Sequence, residues 1–193
     1  MSFRYDIRLS GAGAHGLIDA ARVLAEAAAI YEDLYASESC SFGPEARGNT
    51  CRADLILSDR AIDSPRVELV DFLLALTPDA YDAYICDLKP GGLLVIDEEI
   101  ETDDRVHGRL EQKVRLCIDT GQDLKNAQTN IIILGIFASA CNVISRKSLQ
   151  DAIVSRAPKK LEEEYLASFE YGFGLLEGRD IQCLNKRDRD EDR

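Results

Sequence analysis

The sequence has no tryptophan and only one methionine, and aromatic residues make up just 7% of its 193 residues. Basic residues are also few. The chain has 23 lysines and arginines against 35 aspartates and glutamates, which gives a formal charge of −12. A chain with this charge repels phosphate backbones, and its lysines and arginines form no clustered footprint for nucleic acid. Nucleic-acid binding is therefore disfavoured.

Long apolar runs are absent as well. The longest, residues 131–141, is shorter than the ~20 residues that a helix needs to cross a bilayer. The first residues, MSFRYD, contain no hydrophobic signal core. We therefore expect a cytoplasmic protein without membrane insertion.

Motifs that carry chemistry by themselves are missing too. The six cysteines lie far apart and form no C-x-x-C pair, so local spacing provides neither a zinc knuckle nor the ligands of an iron–sulfur cluster. We expect reduced thiols that pack in the fold. The sequence contains no G-x-S-x-G elbow, no phosphate-loop lysine and no spacing typical of a transition-metal site. We therefore assign no catalytic residue and no metal ligand.

What the chain does contain is an alternation of strand and helix patterns. Residues 3–10 alternate polar and apolar side chains, and residues 17–31 are rich in Ala, Leu and Glu. Further strands are predicted at 34–39, 52–58, 71–76, 93–97 and 113–118. Further helices are predicted at 78–88 (capped by Thr77), 130–141, 148–157 (capped by Ser148) and 161–176. This alternation predicts an α/β fold of the doubly wound, Rossmann-like kind, with a mostly parallel sheet and helices on both faces.

The pattern has no internal break. No linker rich in Pro, Gly or Ser divides the chain, so residues 1–184 are expected to form a single domain. Residues 185–193, NKRDRDEDR, have no apolar side chain to bury, and we expect a disordered tail unless a partner orders it. Gly135, inside a predicted helix, is expected to mark a point of close packing. The acidic residues 97–104 are expected to form a solvated connection rather than a metal site.

A glycine motif, Gly11-x-Gly13-x-x-Gly16, joins the first strand to the first helix. At such a turn the helix N-terminus attracts an anion, and glycines let phosphate oxygens approach the backbone. A dinucleotide site also needs an acidic residue at the end of the second strand. Three acidic residues lie near that position, but none clearly ends the strand: Glu32, Asp33 and Glu38. An anion site and a tight turn without a ligand both remain open.

The second motif reads Ser41-Phe42-Gly43-Pro44-Glu45-Ala46-Arg47-Gly48. Its Gly-Pro pair fixes a bend, and Gly48 permits a backbone angle that other residues resist. Arg47 is suited to a forked contact with a carboxylate or phosphate, and Glu45 to holding Arg47 in place or bridging to a partner subunit. From composition alone, an exposed turn within the chain is the simpler interpretation.

Together with LKPGG at 88–92, which is expected to form a turn, these motifs resemble the gamma subunit of the 2-oxoacid:ferredoxin oxidoreductases. The resemblance spans residues 5–171, and SFGPEARG is its most specific element. The glycine turn of that family commonly reads G-F-G-G-Q-G, so Ala14 and His15 depart from it. A neutral histidine can replace the glutamine amide as a donor or acceptor. The alternative is an exposed histidine on the first helical turn.

The resemblance implies a subunit of an enzyme that converts a 2-oxoacid and coenzyme A to acyl-CoA, carbon dioxide and two electrons. In that family, thiamine diphosphate with magnesium is bound by the alpha and beta subunits, and [4Fe-4S] clusters lie on the beta and ferredoxin-like subunits. No cofactor is therefore expected on this chain. Its implied partners are those subunits and, through them, ferredoxin or another electron acceptor.

We expect the two glycine-containing motifs to form one surface at the end of the sheet that contacts partner subunits or a cofactor. The residues of this surface are Gly11, Gly13, His15, Gly16, Ser41, Phe42, Gly43, Pro44, Glu45, Arg47 and Gly48. Two other functions stay open from the sequence. One is a free-standing dinucleotide-binding oxidoreductase, and the other is an interaction module without a ligand.

Overall fold

A computed structural model of the chain describes residues 3–12, 15–42, 50–114, 128–179 and 181. Its strands are β1 (Arg4–Ala12), β2 (Tyr35–Phe42), β3 (Thr50–Ser58), β4 (Val70–Ala75), β5 (Leu88–Asp97) and β6 (Leu110–Val114). Its helices are α1 (Leu17–Glu26), which continues as a π-helical turn over Ala27–Tyr31, α2 (Pro78–Tyr84), α3 (Thr129–Ala140), α4 (Arg146–Arg156) and α5 (Glu162–Gly174). The tail at 185–193 lies outside the described residues.

The six strands form one mixed sheet in the order β2-β3-β1-β4-β5-β6. β1, β4, β5 and β6 run parallel, whereas β3 is antiparallel to both of its neighbours, β1 and β2. Only residues 43–49 separate β2 from β3. A parallel pair needs a crossover of about a dozen residues or more. The two predicted strands therefore form a hairpin, and its second strand lies between β2 and β1.

Helices pack on both faces of the sheet, as predicted. The larger core joins α1, α3, α4 and α5 to one face through apolar side chains that include Leu9, Leu24, Phe72 and Phe137. A smaller core joins α2 to the opposite face of β4 and β5 through Leu73, Ile85 and Leu94. The predicted α/β class is confirmed. No helix in the described ranges is long and apolar enough to span a bilayer.

The helix starts follow from their caps. Thr77 caps α2 as predicted, because its hydroxyl accepts a hydrogen bond from the Ala80 N–H at 3.2 Å. The predicted cap of α4 was wrong: Ser145 caps that helix, and its Oγ accepts from the Ser148 N–H at 3.0 Å. Ser148 therefore lies inside the first turn. α2 ends at Tyr84, earlier than predicted, because residues Ile85–Asp87 tighten into a 3-10 turn.

The LKPGG segment is not a separate turn but the beginning of β5, which corrects the sequence prediction. Leu88 pairs with Val70 and Leu93 pairs with Phe72, and the register shifts between these two pairs. A bulge accommodates the extra residues. Gly91 adopts a φ of 73°, which glycine tolerates best, and its N–H donates to the Gly108 carbonyl at 2.7 Å.

The strand predicted at 113–118 lies earlier, at Leu110–Val114, and residues 115–118 fall outside the described residues. The acidic connection before it is partly organised by local bonds. Asp97 accepts from the Glu99 N–H at 3.0 Å, and Asp103 accepts from the Arg105 N–H at 2.9 Å. No three potential metal ligands converge within the described part of the chain.

α3 and α5 touch backbone to backbone at two glycines. A Cβ atom added to Gly135 would lie 2.1 Å from the Phe169 carbonyl oxygen. A Cβ atom added to Gly172 would lie 2.1 Å from the Ile132 carbonyl oxygen. The prediction that Gly135 marks close packing is confirmed.

Candidate functional site

The strands β1, β2 and β4 run parallel and finish at the same end of the sheet, where β3 begins. We call this end of the sheet the carboxyl edge. Ala12 pairs with Thr50, and Phe42 pairs with Cys51. β1 and β2 end together because β3 runs antiparallel to both. β4 ends beside them, with Ala75 next to Ser10. The carboxyl edge thus places the start of the first motif, at the end of β1, near the start of the second motif, at the end of β2, with β3 between them.

The glycine turn begins at a position where a side chain does not fit. Gly11 is buried, and an added Cβ atom would lie 2.9 Å from the His15 Nδ1 atom and 3.0 Å from the Leu76 Cβ atom. The Leu76 N–H also donates to the Ser10 carbonyl at 3.0 Å, which fixes the turn against the end of β4. Close approach to these neighbours therefore explains the first glycine.

His15 closes the turn rather than facing solvent. Its Nδ1 atom accepts a hydrogen bond from the Ala12 N–H at 3.2 Å, so this nitrogen is unprotonated. The side chain is half-buried, and burial lowers the pKa of the imidazole because the charged form loses hydration. The expectation of an exposed histidine was wrong. The expectation that histidine can act as an acceptor at this position is met by the bond to Ala12.

Gly16 precedes α1 in a left-handed conformation, with φ 65° and ψ 28°. An added Cβ atom would lie 3.1 Å from the Cβ atom of Asn130, which belongs to the first turn of α3. The N-terminal ends of α1 and α3 therefore meet at the carboxyl edge. Each helix N-terminus carries roughly half a positive charge, so the pair favours an anionic group, although Asp19 in the first turn of α1 offsets part of this field.

The structure brings together part of the predicted surface. Gly11, His15 and Gly16 form the turn, and Ser41 and Phe42 end β2 nearby, with Ser41 exposed. The other predicted site residues lie outside the described residues: Gly13, Gly43, Pro44, Glu45, Arg47 and Gly48. Their roles stay predictions. Asn130 was missed, although a polar residue at the start of a strongly apolar helix was a visible signal.

The arrangement argues against a dinucleotide site of the usual kind. Such a site takes its ribose-binding acid from the tip of a parallel strand beside β1. Here the strand between β1 and β2 is antiparallel β3, which begins at the carboxyl edge with Thr50 and Cys51. Glu38, one of the three acids considered from the sequence, lies 3.7 Å from the Arg22 guanidinium instead.

A second group of polar residues lies under the opposite face of β1 and β3. The Arg8 side chain is only 2% exposed, and its guanidinium binds both oxygens of Asp54, at 2.7 and 3.0 Å, as well as Asp87. The Tyr84 ring lies 5.0 Å from the Arg8 guanidinium carbon. Burial acts to lower the pKa of Arg8, but the bonds and charges of Asp54 and Asp87 outweigh it and raise the pKa.

Arg8, Asp54 and Asp87 border a polar cavity of about 480 Å³. Ser39, Arg52 and Arg66 also line it. Next to it, the Lys89 ammonium lies 2.7 Å from Asp71 and 3.3 Å from Asp6. This network was not predicted from the sequence, because polar residues that alternate with apolar ones in a strand suggest a solvent-exposed face. Opposite charges in both β1 and β3 were the available signal.

The bond from Ala12 to His15 makes the glycine turn sensitive to pH. We expect the free energy of unfolding to fall as the pH drops below about 6.5, the ordinary pKa of histidine. The folded pKa is lowered, so the unfolded chain binds the proton more readily and the stabilisation is present above that range. Urea unfolding of wild type and His15→Gln at several pH values measures this. The glutamine variant should lose the His15 contribution.

The exposed His107 provides the control for this experiment. His107→Gln makes the same substitution outside the glycine turn, and its pH profile is measured beside that of His15→Gln. Identical pH profiles for wild type and His15→Gln would show that the imidazole does not titrate in the way described.

Known proteins that are similar to this chain indicate its family. The model of the pyruvate ferredoxin/flavodoxin oxidoreductase family matches residues 6–175. The 2-oxoglutarate synthase subunit KorC of Methanocaldococcus jannaschii is 35% identical over 90% of this chain and 94% of its own length. The keto/oxoacid ferredoxin oxidoreductase gamma subunit of Geobacter sulfurreducens has a TM-score of 0.77 at 36% identity, covering 90% of this chain and 96% of that one.

A further structure shares the fold. It is a 2-oxoglutarate:ferredoxin oxidoreductase from Magnetococcus marinus with 2-oxoglutarate, coenzyme A and succinyl-CoA bound, and its TM-score is 0.82 at 20% identity. The match covers 95% of this chain but only 33% of that one. The family match, the relatives and the fold agree, and the chain belongs to the pyruvate ferredoxin/flavodoxin oxidoreductase family as a gamma subunit of the 2-oxoacid:ferredoxin oxidoreductases.

Proposed function

We propose that this chain serves a complex that converts a 2-oxoacid and coenzyme A to acyl-CoA, carbon dioxide, a proton and two electrons. The chain supplies a docking surface at its carboxyl edge and borders the route of coenzyme A, while bond breaking occurs on partner subunits. The observation that carries this proposal is the meeting of the β1 and β2 ends with the N-termini of α1 and α3 at one edge.

Thiamine diphosphate, magnesium and the iron–sulfur clusters belong, in this proposal, to the alpha, beta and ferredoxin-like subunits. The described cysteines do not fit a four-thiolate cluster, because no three potential metal ligands converge among the described residues. These cysteines, none of which forms a disulfide, are Cys40, Cys51, Cys86 and Cys141. We therefore propose no cofactor on this chain. Electrons leave through the partners to ferredoxin or another acceptor.

The substrate that we favour is 2-oxoglutarate, because the KorC relative is a 2-oxoglutarate synthase subunit and covers nearly the whole chain. The residues that select a 2-oxoacid lie on the partners in this proposal. Purification of the tagged chain with its partners, followed by viologen reduction with 2-oxoglutarate, pyruvate and an aromatic 2-oxoacid, tests the assignment. A nucleotide-binding monomer without thiamine- and cluster-containing partners would contradict it.

Arg47 provides the sharpest test of the docking surface. In the purified complex, Arg47→Ala should either lower the content of partner subunits or raise the KM for coenzyme A about tenfold or more. The reason is that a hydrogen bond from a charged group contributes roughly 1.5–3 kcal/mol. Gel densitometry and steady-state kinetics measure both outcomes.

Arg60 is the matched control. It is exposed and follows the end of β3, which pairs with the start of β1 at the opposite side of the sheet. Arg60→Ala removes the same charge and should leave subunit content and kinetics unchanged. If Arg47→Ala behaves like Arg60→Ala, the second motif does not contribute to docking or to the coenzyme A route.

A further inference from the structure

The two outer strands of the sheet, β6 and β2, are built differently. β6 has five residues, including Glu111 and Lys113, and the Arg179 guanidinium donates to the Lys113 carbonyl at 3.0 Å. β2 has eight residues and contains no proline, lysine or arginine. It pairs with β3 in one continuous register, and no strand within the described ranges pairs with its outer side. Long edge strands are normally protected by charges, prolines, bulges or a covering segment.

Exposed apolar side chains gather at the start of this unprotected strand. The described residues include six large apolar side chains that are exposed, and three of them lie at Ile30, Tyr31 and Tyr35, with exposures of 67%, 39% and 54%. Ile30 and Tyr31 end the π-helical turn that leads into β2, and Tyr35 begins β2. An apolar cluster beside an open strand edge is typical of a protein-binding surface.

The residues of β2 suit pairing with an identical strand. About a two-fold axis at Ser39, Ser39 lies opposite its own copy, Ser37 lies opposite Ser41, and Glu38 lies opposite Cys40. Small hydroxyl side chains then face each other, and no like charges stand directly opposite. Glu38 is the single charged residue of the strand, and Arg22 of the same chain lies 3.7 Å from it.

We propose that β2 pairs antiparallel with β2 of a second copy of this chain, across a two-fold axis at Ser39. Each copy contributes its six strands to one continuous sheet. A contact of this kind is isologous, so it closes at two copies. It uses the outer side of β2 and leaves the glycine turn at the end of β1 and the N-termini of α1 and α3 available to other subunits.

The charge of the chain gives this dimer a characteristic salt dependence. Both copies carry a formal charge of −12, so they repel each other over long distances, although the paired strands contain one charge each. Salt screens this repulsion, and the dimer should tighten as ionic strength rises. A basic partner bound at the same edge would be released by salt instead.

Disulfide trapping tests the register. In a Cys40→Ser background, Ser39→Cys should form a disulfide-linked dimer on mild oxidation, because directly opposed residues have Cα atoms about 4.5–5.5 Å apart, within disulfide range. Ser41→Cys in the same background is the matched control. It lies opposite Ser37, so the two introduced thiols are separated by about four residues of strand, or ~13 Å. This variant should stay unlinked.

Sedimentation of the full-length chain tests the contact without a cross-link. Ser39→Lys places two ammonium groups opposite each other and should weaken the dimer roughly tenfold or more. Ser64→Lys adds the same charge at an exposed position after β3 and should leave the dimer unchanged. Circular dichroism checks that both variants fold. The wild-type dimer should also tighten when salt is added.

Three results would overturn the proposal. One is a wild-type chain that stays monomeric at micromolar concentration. Another is a dimer that Ser39→Lys and Ser64→Lys affect equally. The third is trapping in the purified complex that links Ser39→Cys to a different subunit rather than to a second copy.

Discussion

Alanine at Gly172 is expected to destabilise the protein severely, whereas alanine at Gly174, in the same helix, should be tolerated. A Cβ atom at Gly172 would lie 2.1 Å from the Ile132 carbonyl oxygen and 2.9 Å from its carbonyl carbon. These are backbone atoms of α3, so no side chain can rotate away. α3 and α5 would have to separate along their whole contact, which includes the reciprocal approach at Gly135.

The expected cost for Gly172→Ala is about 3 kcal/mol or more, the upper end for overpacking a core. Gly174 has no atom within 4 Å of an added Cβ, and alanine there should change stability by no more than about 1 kcal/mol, in the stabilising direction. Urea unfolding of the two variants measures the difference. Equal stabilities would mean that the helices are not held at this separation.

Gly135→Ala tests the same contact from the α3 side. Gly135→Ala meets the Phe169 carbonyl oxygen at 2.1 Å and the Phe173 nitrogen at 2.6 Å, and it should be as harmful as Gly172→Ala. Because both positions act on one contact, the double variant should cost less than the sum of the single variants.

The contact between α3 and α5 also shows what the sequence could and could not predict. The apolar pattern at residues 130–141 predicted a buried helix, and a glycine inside it indicated close packing. The pattern could not identify the partner, since Gly172 lies 37 positions further along the chain in a helix of ordinary amphipathic composition. Local periodicity reports which face of a helix is apolar, whereas helix pairing depends on tertiary packing.

The sheet was predictable to a similar extent. The strand patterns located β1 to β5, but the position of β3 between β2 and β1 had to come from tertiary structure. The short segment at 43–49 was a usable signal, because it is too short for a crossover between parallel strands. The bulge at Gly91 was missed because Gly-Gly usually marks a turn, and here the register shift against Val70 and Phe72 absorbs it.

The glycines of the candidate site were predicted because they belong to a local turn. The contacts between elements that are distant in the sequence were not predicted. Gly11 and Gly16 follow from a local turn. The contact of Gly16 with Asn130 joins residues more than a hundred positions apart, and no local pattern reports it. His15 became an acceptor for the Ala12 N–H because the turn is tight enough to bring the imidazole back over the strand end.

The second large effect is expected from the buried network of Arg8. Asp54→Leu should cost about 3–5 kcal/mol, the range for removing one partner of a buried ion pair. The Asp54 carboxylate is 4% exposed and holds two bonds of the Arg8 guanidinium. Without it, the remaining carboxylate partner of Arg8 described here is Asp87, whose side chain is 39% exposed. Arginine is not deprotonated in proteins, so loss of a proton cannot relieve the unpaired charge.

A buried ion pair does not by itself make the fold more stable, because well-packed apolar residues often replace such a pair without loss of stability. Removing one partner alone is what is costly. Arg8→Met combined with Asp54→Leu should therefore cost less than the sum of the two single variants, by about 1–3 kcal/mol. The exposed pair Arg66 and Glu68, 3.6 Å apart, is the control, and Arg66→Met should change the free energy of unfolding by less than about 1 kcal/mol. Additive costs at Arg8 and Asp54 would show that the two side chains are not energetically coupled. Recovery in the double variant would instead show that the charge is dispensable for folding and that only its pairing is required.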